Sequence, residues 1–127
     1  IYLGVPFYGR DWNIDDGPPA RSIGFETAAR LQREAENVVG GFSAEHGGPW
    51  FRYDDEEGDR HEVWFENAES LELKLDLAID SGVAGFAAWR IGHEDPRNWD
   101  VIASIETPAT PVSPLEAEPG SIYFHLT

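Results

Sequence analysis

Two stretches of this chain set aromatic rings beside guanidinium groups. Tyr8-Gly9-Arg10-Asp11-Trp12 closes one apolar run, and Trp89-Arg90 closes another. In the first, the rings suit the flat faces of sugars, and the arginine fork suits the oxygens around them. The same residues also suit the edge of a core, with the rings packed and the arginine in an ion pair. For the first stretch the residues alone leave both readings open. Elsewhere the chemistry is sparse. The chain has no Cys, so disulfides and thiolate metal sites are excluded. His46, His61, His93 and His125 show no metal-ligand spacing.

The elements that must position these groups can be read from periodicity. Ile1 to Tyr8 is apolar at nearly every position, as in a strand covered on both faces, with Pro6 removing one ladder donor. Gly82 to Ala88 holds only small and apolar residues and reads as a second buried strand. After Trp89-Arg90 the chain turns polar, and Asp95-Pro96 has the form of a helix start, with the helix running to about Ser104. A buried strand, a polar loop and a helix make up an α/β unit, in which ligands meet the carboxyl ends of the strands.

Between the two strands lies a different pattern. Residues 13 to 22 form a loop, and Ser22 to Glu36 predicts a helix with Phe25, Ala28, Ala29 and Gln32 along one stripe. Gly40-Gly41 ends that segment, and Phe42 to His46 suits a short strand. Trp50 to Asp54 and Arg60 to Phe65 predict an antiparallel hairpin around Asp55-Glu56-Glu57-Gly58-Asp59. That acidic loop lacks the alternating ligands and closing Glu of a calcium loop, so no metal or cofactor is expected. Asn67 or Ser70 caps the next helix. Leu71, Leu75, Ala78 and Ile79 form its stripe, Leu73 and Leu77 widen it, and Ser81-Gly82 ends it. Three prolines among small residues make 107 to 114 an extended linker, and Ser121 to Leu126 suits a last strand.

The chain has 127 residues, the size of one modest domain, and is 41% hydrophobic. Its first residue is Ile and it has no Met, which reads as a piece of a longer product. No apolar run reaches membrane-spanning length, and no signal-peptide pattern is present. The formal net charge of −15 opposes nucleic acid, whose phosphates would be repelled.

Several motifs together carry a resemblance. Leu3-Gly4-Val5-Pro6-Phe7-Tyr8-Gly9-Arg10-Asp11-Trp12 resembles the seventh barrel strand of glycoside hydrolase family 18, the chitinase-like family. Trp50-Phe51-Arg52-Tyr53 and His61 to Ala68 resemble the insertion in its spore-germination, peptidoglycan-directed branch. Gly85 to Pro96 resembles the eighth strand and the start of the final helix. The resemblance covers about residues 1 to 105. It implies an α/β fold, part of a TIM (β/α)8 barrel with a small α+β insertion. The implied division is strand and rim at 1–12, insertion at 13–66, the last barrel helices and eighth strand at 67–106, and linker with terminal strand at 107–127. By this resemblance Trp89 is the floor under the sugar at the cleavage point, Tyr8 and Arg10 reach toward substrate, and Trp64 and Glu66 lie where the insertion meets the rim. Trp12, Trp50 and Trp64 also suit plain packing, and Glu94 and Asp95 suit a helix start better than acid catalysis.

The family's acidic signature, Asp-x-x-Asp-x-Asp-x-Glu, is absent from this chain, so no catalytic residue is expected within it. The resemblance therefore implies the C-terminal portion of a retaining, substrate-assisted glycosidase that cleaves β-1,4 bonds in N-acetylglucosamine-containing polymers. The alternatives are a non-catalytic carbohydrate-binding or scaffold module and an inert fragment. Expected partners are an oligosaccharide or cell-wall polysaccharide, the missing N-terminal part of the barrel, and a second copy paired through uncovered strand edges. Neither nucleic acid nor membrane is expected. The implied location is extracellular or at the cell wall.

Overall fold

A computed structural model describes residues 1–105 and 121–125. In chain order the elements are β1 (Tyr2–Pro6), β2 (Tyr8–Asn13), β3 (Arg21–Gly24), α1 (Phe25–Glu34), β4 (Glu36–Ser43), β5 (Gly48–Asp54), β6 (Arg60–Trp64), α2 (Ala68–Asp80), β7 (Gly85–Trp89), α3 (Asn98–Ala103) and β8 (Ser121–His125). The fold is α/β, with one mixed sheet in the order β1-β7-β8 and one antiparallel sheet in the order β3-β2-β6-β5-β4. The described residues form no closed barrel.

The single strand expected from Ile1 to Tyr8 is two strands. Pro6 ends β1, and the Phe7 N–H donates to the Trp89 carbonyl at 2.6 Å as the chain leaves that sheet. From Tyr8 onward it belongs to the antiparallel sheet. β1 runs parallel to β7, with Tyr2 opposite Gly85 and Pro6 opposite Trp89. β8 closes the other side of β7, antiparallel, with Phe124 opposite Phe86. The core under this sheet joins Val5, Phe7, Phe86 and Ala88 to Leu71 and Leu75 of α2 and Ile102 of α3. The double burial expected of the Gly82–Ala88 run is met only in part: the strand begins at Gly85, helices cover the Phe86 and Ala88 face, and Ala87 on the other face is half-buried while Gly82 and Ala84 before the strand are exposed.

A second core, of Ile23, Ala28, Phe51, Tyr53, Val63 and Phe65, lies between α1 and the antiparallel sheet. Here several boundaries differ from expectation. Residues 21–24 pair with β2 as β3, so α1 begins at Phe25 rather than Ser22. Ala28 of the expected stripe is buried, but Gln32 is exposed and Leu31 packs in its place. Gly40-Gly41 does not end a segment. It lies inside β4, where a Cβ on Gly40 would collide with Trp50 and Phe51. The absence of a side chain lets β4 approach β5, which no turn rule anticipates. The β5–β6 hairpin forms in the expected register, from Trp50 opposite Trp64 to Asp54 opposite Arg60.

Of the two caps expected for α2, Asn67 is the N-cap, and Ser70 stands three residues on and closes a capping box with it. The Asn67 side chain accepts from the Ser70 N–H, and the Ser70 hydroxyl accepts from the Asn67 N–H. Its buried stripe is narrower than expected: Leu71, Leu75 and Ala78 are covered, whereas Leu73, Leu77 and Ile79 are about half exposed. Gly82 ends the turn at φ +63. α3 is shorter than expected because the stretch after Asp95 is a turn that becomes regular helix only at Asn98. No described helix is long and apolar enough to cross a membrane. The linker reading for 107–114 and the Leu126 end of the last strand lie outside the described residues.

Candidate carbohydrate site

Parallel pairing brings the ends of β1 and β7 to one place. Pro6 and Trp89 are register partners, so the chain that continues into β2 and the loop that follows Trp89 leave the sheet side by side. Phe86 and Ala88 of β7 are buried, while Trp89 is 41% exposed. Along β2 the pleat turns Gly9 and Asp11 inward and leaves Arg10 exposed and Tyr8 half-buried. The result is a cleft of about 310 Å³ lined by Tyr8, Arg10, Ser22, Trp89, Arg90 and His93. The Arg10 guanidinium sits 5.3 Å from the centroid of the Tyr8 ring. The Trp89–Arg90 peptide is cis.

The loop after Trp89 is fastened at both ends. The His93 carbonyl accepts from the Phe25 N–H at 2.9 Å, at the start of α1. Gly24 lies beneath it, where a Cβ would come within 3.3 Å of His93 Cα. Asp95, 1% exposed, accepts from the backbone N–H groups of Ala68 and Arg97, each at 3.0 Å, and from the Arg97 guanidinium at 2.7 Å. Burial pushes the Asp95 carboxyl upward, but the Arg97 and Ala68 hydrogen bonds outweigh it and hold the group below its usual range. Asp95 is thus a fastening between α2, α3 and the cleft loop, in line with its helix-start reading.

Of the five residues singled out in the sequence, the structure brings three together: Tyr8, Arg10 and Trp89 line one cleft. Trp64 lies outside that lining, but it is the register partner of Arg10 across β2 and β6, which puts both on one face of the sheet. It stacks on Trp50 at 6.1 Å and 28°, and its indole N–H donates to Glu62 at 2.9 Å. Trp12, partly exposed, shares this face. Glu66 is elsewhere: it accepts from the Ser70 hydroxyl at 2.7 Å and from Lys74 Nζ at 2.9 Å at the beginning of α2. Ser22 and His93 were given no role from the sequence, and Arg90 was noted beside Trp89 without one. Ser22 was hidden by its placement in a helix, whereas Arg90 and His93 follow Trp89 so closely that its position could have pointed to them.

The polar cluster behind the sheet is structural. Asp11 is buried and accepts from Arg21 at 2.7 Å and from the Tyr53 hydroxyl at 2.9 Å, and its other oxygen meets His61 Nδ1 at 2.7 Å. His61 Nε2 faces Asp55 at 3.2 Å. Desolvation and the Asp11 bond push the Tyr53 hydroxyl above its ordinary pKa. Asp55, Glu57 and Asp59 bring carboxylate oxygens within 4.8 Å of one another. Asp55 is already occupied in shaping the hairpin, accepting from the N–H groups of Glu57 and Asp59.

Comparison with known proteins bears on the family and the fold. The model of glycosyl hydrolases family 18 matches residues 1–94. The cortical fragment-lytic enzyme of Bacillus anthracis is 36% identical over 105 residues, covering 80% of this chain and 24% of that protein. Among solved structures, the spore cortex-lytic enzyme SleL of Bacillus cereus superposes with a TM-score of 0.73 at 36% identity, over 80% of this chain and 24% of its own. A chitinase from Chromobacterium violaceum gives 0.72 at 28% identity, over 81% and 32%. The chain spans about a quarter of the length of the curated relatives it matches. On this likeness in sequence and fold, the chain belongs to family 18 of the glycosyl hydrolases and is related to the Bacillus spore cortex-lytic enzymes.

Proposed function

We propose that this chain is the sugar-holding C-terminal portion of a glycosidase that hydrolyses β-1,4 bonds in polymers containing N-acetylglucosamine. The observation that carries this reading is the meeting of Tyr8, Arg10 and Trp89 in one cleft at the ends of the parallel strands β1 and β7. Trp89 offers its exposed ring to the face of a sugar, Tyr8 borders it, and Arg10 directs donors across the cleft. Trp64, on the sheet face that continues from Arg10, extends the surface toward neighbouring sugars; Glu66 supports the rim from the start of α2. The general acid comes from sequence outside this chain, and cleavage proceeds with retention through the substrate's N-acetyl group.

In this reading β1 and β7 are the last two strands of a (β/α)8 barrel, and residues 13–66 are an insertion between them. Residues 1–12 form the seventh strand and rim, 67–106 the last helices and eighth strand, and 107–127 a linker and terminal strand. The missing strands are the natural partners of the β1 edge, and a second copy is their substitute when they are absent. The relatives' names, which tie them to the spore cortex, support an extracellular or cell-wall setting.

A hydrolysis assay on the full protein that carries this segment tests the proposal. Chitooligosaccharide cleavage with retained anomeric configuration, reduced by Trp89→Ala, is the expected result. Binding without cleavage supports the non-catalytic carbohydrate module instead. The 127-residue chain alone is expected to release no product. Turnover that disappears on mutating a residue within it would overturn the assignment of the acid to another segment.

A further inference from the structure

We propose that Gly24 is a positioning residue that sets the width of the cleft, an inference that rests on the carbohydrate reading above. Tyr8 and Arg10 of β2 pair with Gly24 and Ser22 of β3, so the four share one face of the sheet. Tyr8, Arg10 and Ser22 line the cleft. Gly24 has no side chain to offer, and His93 takes that place beside Tyr8. A Cβ on Gly24 would lie 3.3 Å from His93 Cα and 3.5 Å from both its Cγ and its carbonyl oxygen. The backbone does not call for glycine, because Gly24 has φ −90 and ψ 173, extended values open to any residue. The close approach of His93 does.

The same contact stands in for a helix cap. Gly24 is the N-cap of α1 and makes no side-chain hydrogen bond, so the first turn lacks the oxygen that Ser, Thr, Asp or Asn would supply. The His93 carbonyl comes in from the cleft loop instead and accepts from the Phe25 N–H at 2.9 Å. The two ends of that loop are held by other elements. The Trp89 carbonyl accepts from the Phe7 N–H, and the Asp95 carboxylate accepts from the N–H groups of Ala68 and Arg97. His93 is thus a middle fastening, and it ties the loop to β3 and α1. The cleft has two walls: Tyr8, Arg10 and Ser22 on the sheet, and Trp89, Arg90 and His93 on the strand end and loop. Gly24 sits where the walls meet. A methyl group there forces His93 away by a few tenths of an ångström and moves one wall against the other.

The test is titration of the 127-residue chain with tri-N-acetylchitotriose, followed by NMR, in the parent and in Gly24→Ala, Gly24→Ser and Gly41→Ala. Both Gly24 variants should bind about three- to tenfold more weakly. Before any sugar is added, both should also shift the Arg90 and His93 amide signals and the Trp89 indole N–H. Gly24→Ser separates this effect from fraying of α1, because its hydroxyl serves the first-turn N–H groups and keeps the melting temperature close to the parent's. Gly41→Ala, whose Cβ meets nothing within 4 Å, should bind and melt as the parent does. Parental affinity in both Gly24 variants overturns the inference while leaving the carbohydrate reading intact. Weaker binding with unmoved loop signals overturns it too, because the loop would then not be what Gly24 positions. So does weaker binding in Gly24→Ala that Gly24→Ser restores, because the helix cap rather than the wall spacing would then govern affinity. Failure of the parent to bind the trimer overturns the carbohydrate reading for this chain and the inference with it.

Discussion

The Asp95 carboxylate accepts from the Ala68 N–H at 3.0 Å, joining the loop that follows Trp89 to the first turn of α2. These residues are 27 positions apart, and the bond lies in a site that is 1% exposed at Asp95. Because the hydrogen bonds of Arg97 and Ala68 hold this carboxyl below its ordinary range, the folded state keeps it ionised to lower pH than the unfolded chain does. Asp95 therefore contributes stability above its unfolded pKa, near 4. That contribution falls away as the pH drops through the lower folded value. Asp95→Asn should lower the melting temperature at pH 7 and flatten its decline between about pH 5 and 3. Melting curves of both proteins across that range give the comparison; parallel pH profiles would remove Asp95 from this role.

Gly9 and Gly41 make a matched test of the antiparallel sheet. A Cβ on Gly9 would lie 2.6 Å from both the Trp64 carbonyl and Phe65 Cβ, whereas one on Gly41 meets nothing within 4 Å. Gly9→Ala should destabilise the chain by about 1–3 kcal/mol, and Gly41→Ala should be nearly neutral. Denaturant melts of the two variants decide this. A tolerated Gly9→Ala would mean that β2 and β6 do not approach as described.

The buried Asp11 cluster predicts a cost for Tyr53→Phe. Loss of the hydroxyl removes one donor to a carboxylate that is almost fully buried and leaves the ring in place. A loss of about 1–3 kcal/mol is expected, with no change in oligosaccharide affinity because the cluster lies behind the sheet. Denaturation and titration on the same sample check both halves. Weakened sugar binding at unchanged stability would mean that the Asp11 cluster belongs to the site.

The sequence carried the elements with strong local rules: the hairpin of β5 and β6, the choice of Asn67 or Ser70 as cap, the Gly82 stop and the strand β7. It was less informative where a long-range partner decides the local structure. Residues 22–24 carry a helical pattern with those that follow, yet they join β3 because β2 offers an edge and Ile23 a place in the core. Gly40-Gly41 has the form of a terminator, yet close approach of β5 keeps it in a strand. Leu73 and Leu77 satisfy an apolar periodicity that the described core leaves uncovered. At the site, Tyr8, Arg10 and Trp89 were legible because each stands at the end of an apolar run. Ser22 was not, because its place in the cleft depends on residues 21–24 pairing with β2 as a strand.

Indole resonances provide the most direct test of Trp89 as the sugar platform. The chain has five tryptophans, so their side-chain N–H signals can be assigned by single substitution and followed while an N-acetylated oligosaccharide is added. A platform role predicts that the Trp89 indole shifts along the binding curve. It also predicts that Trp89→Ala weakens affinity about 10- to 100-fold while the melting temperature stays within the error of the parent. An unmoved Trp89 signal at saturation, or parental affinity in a stably folded Trp89→Ala variant, would contradict it.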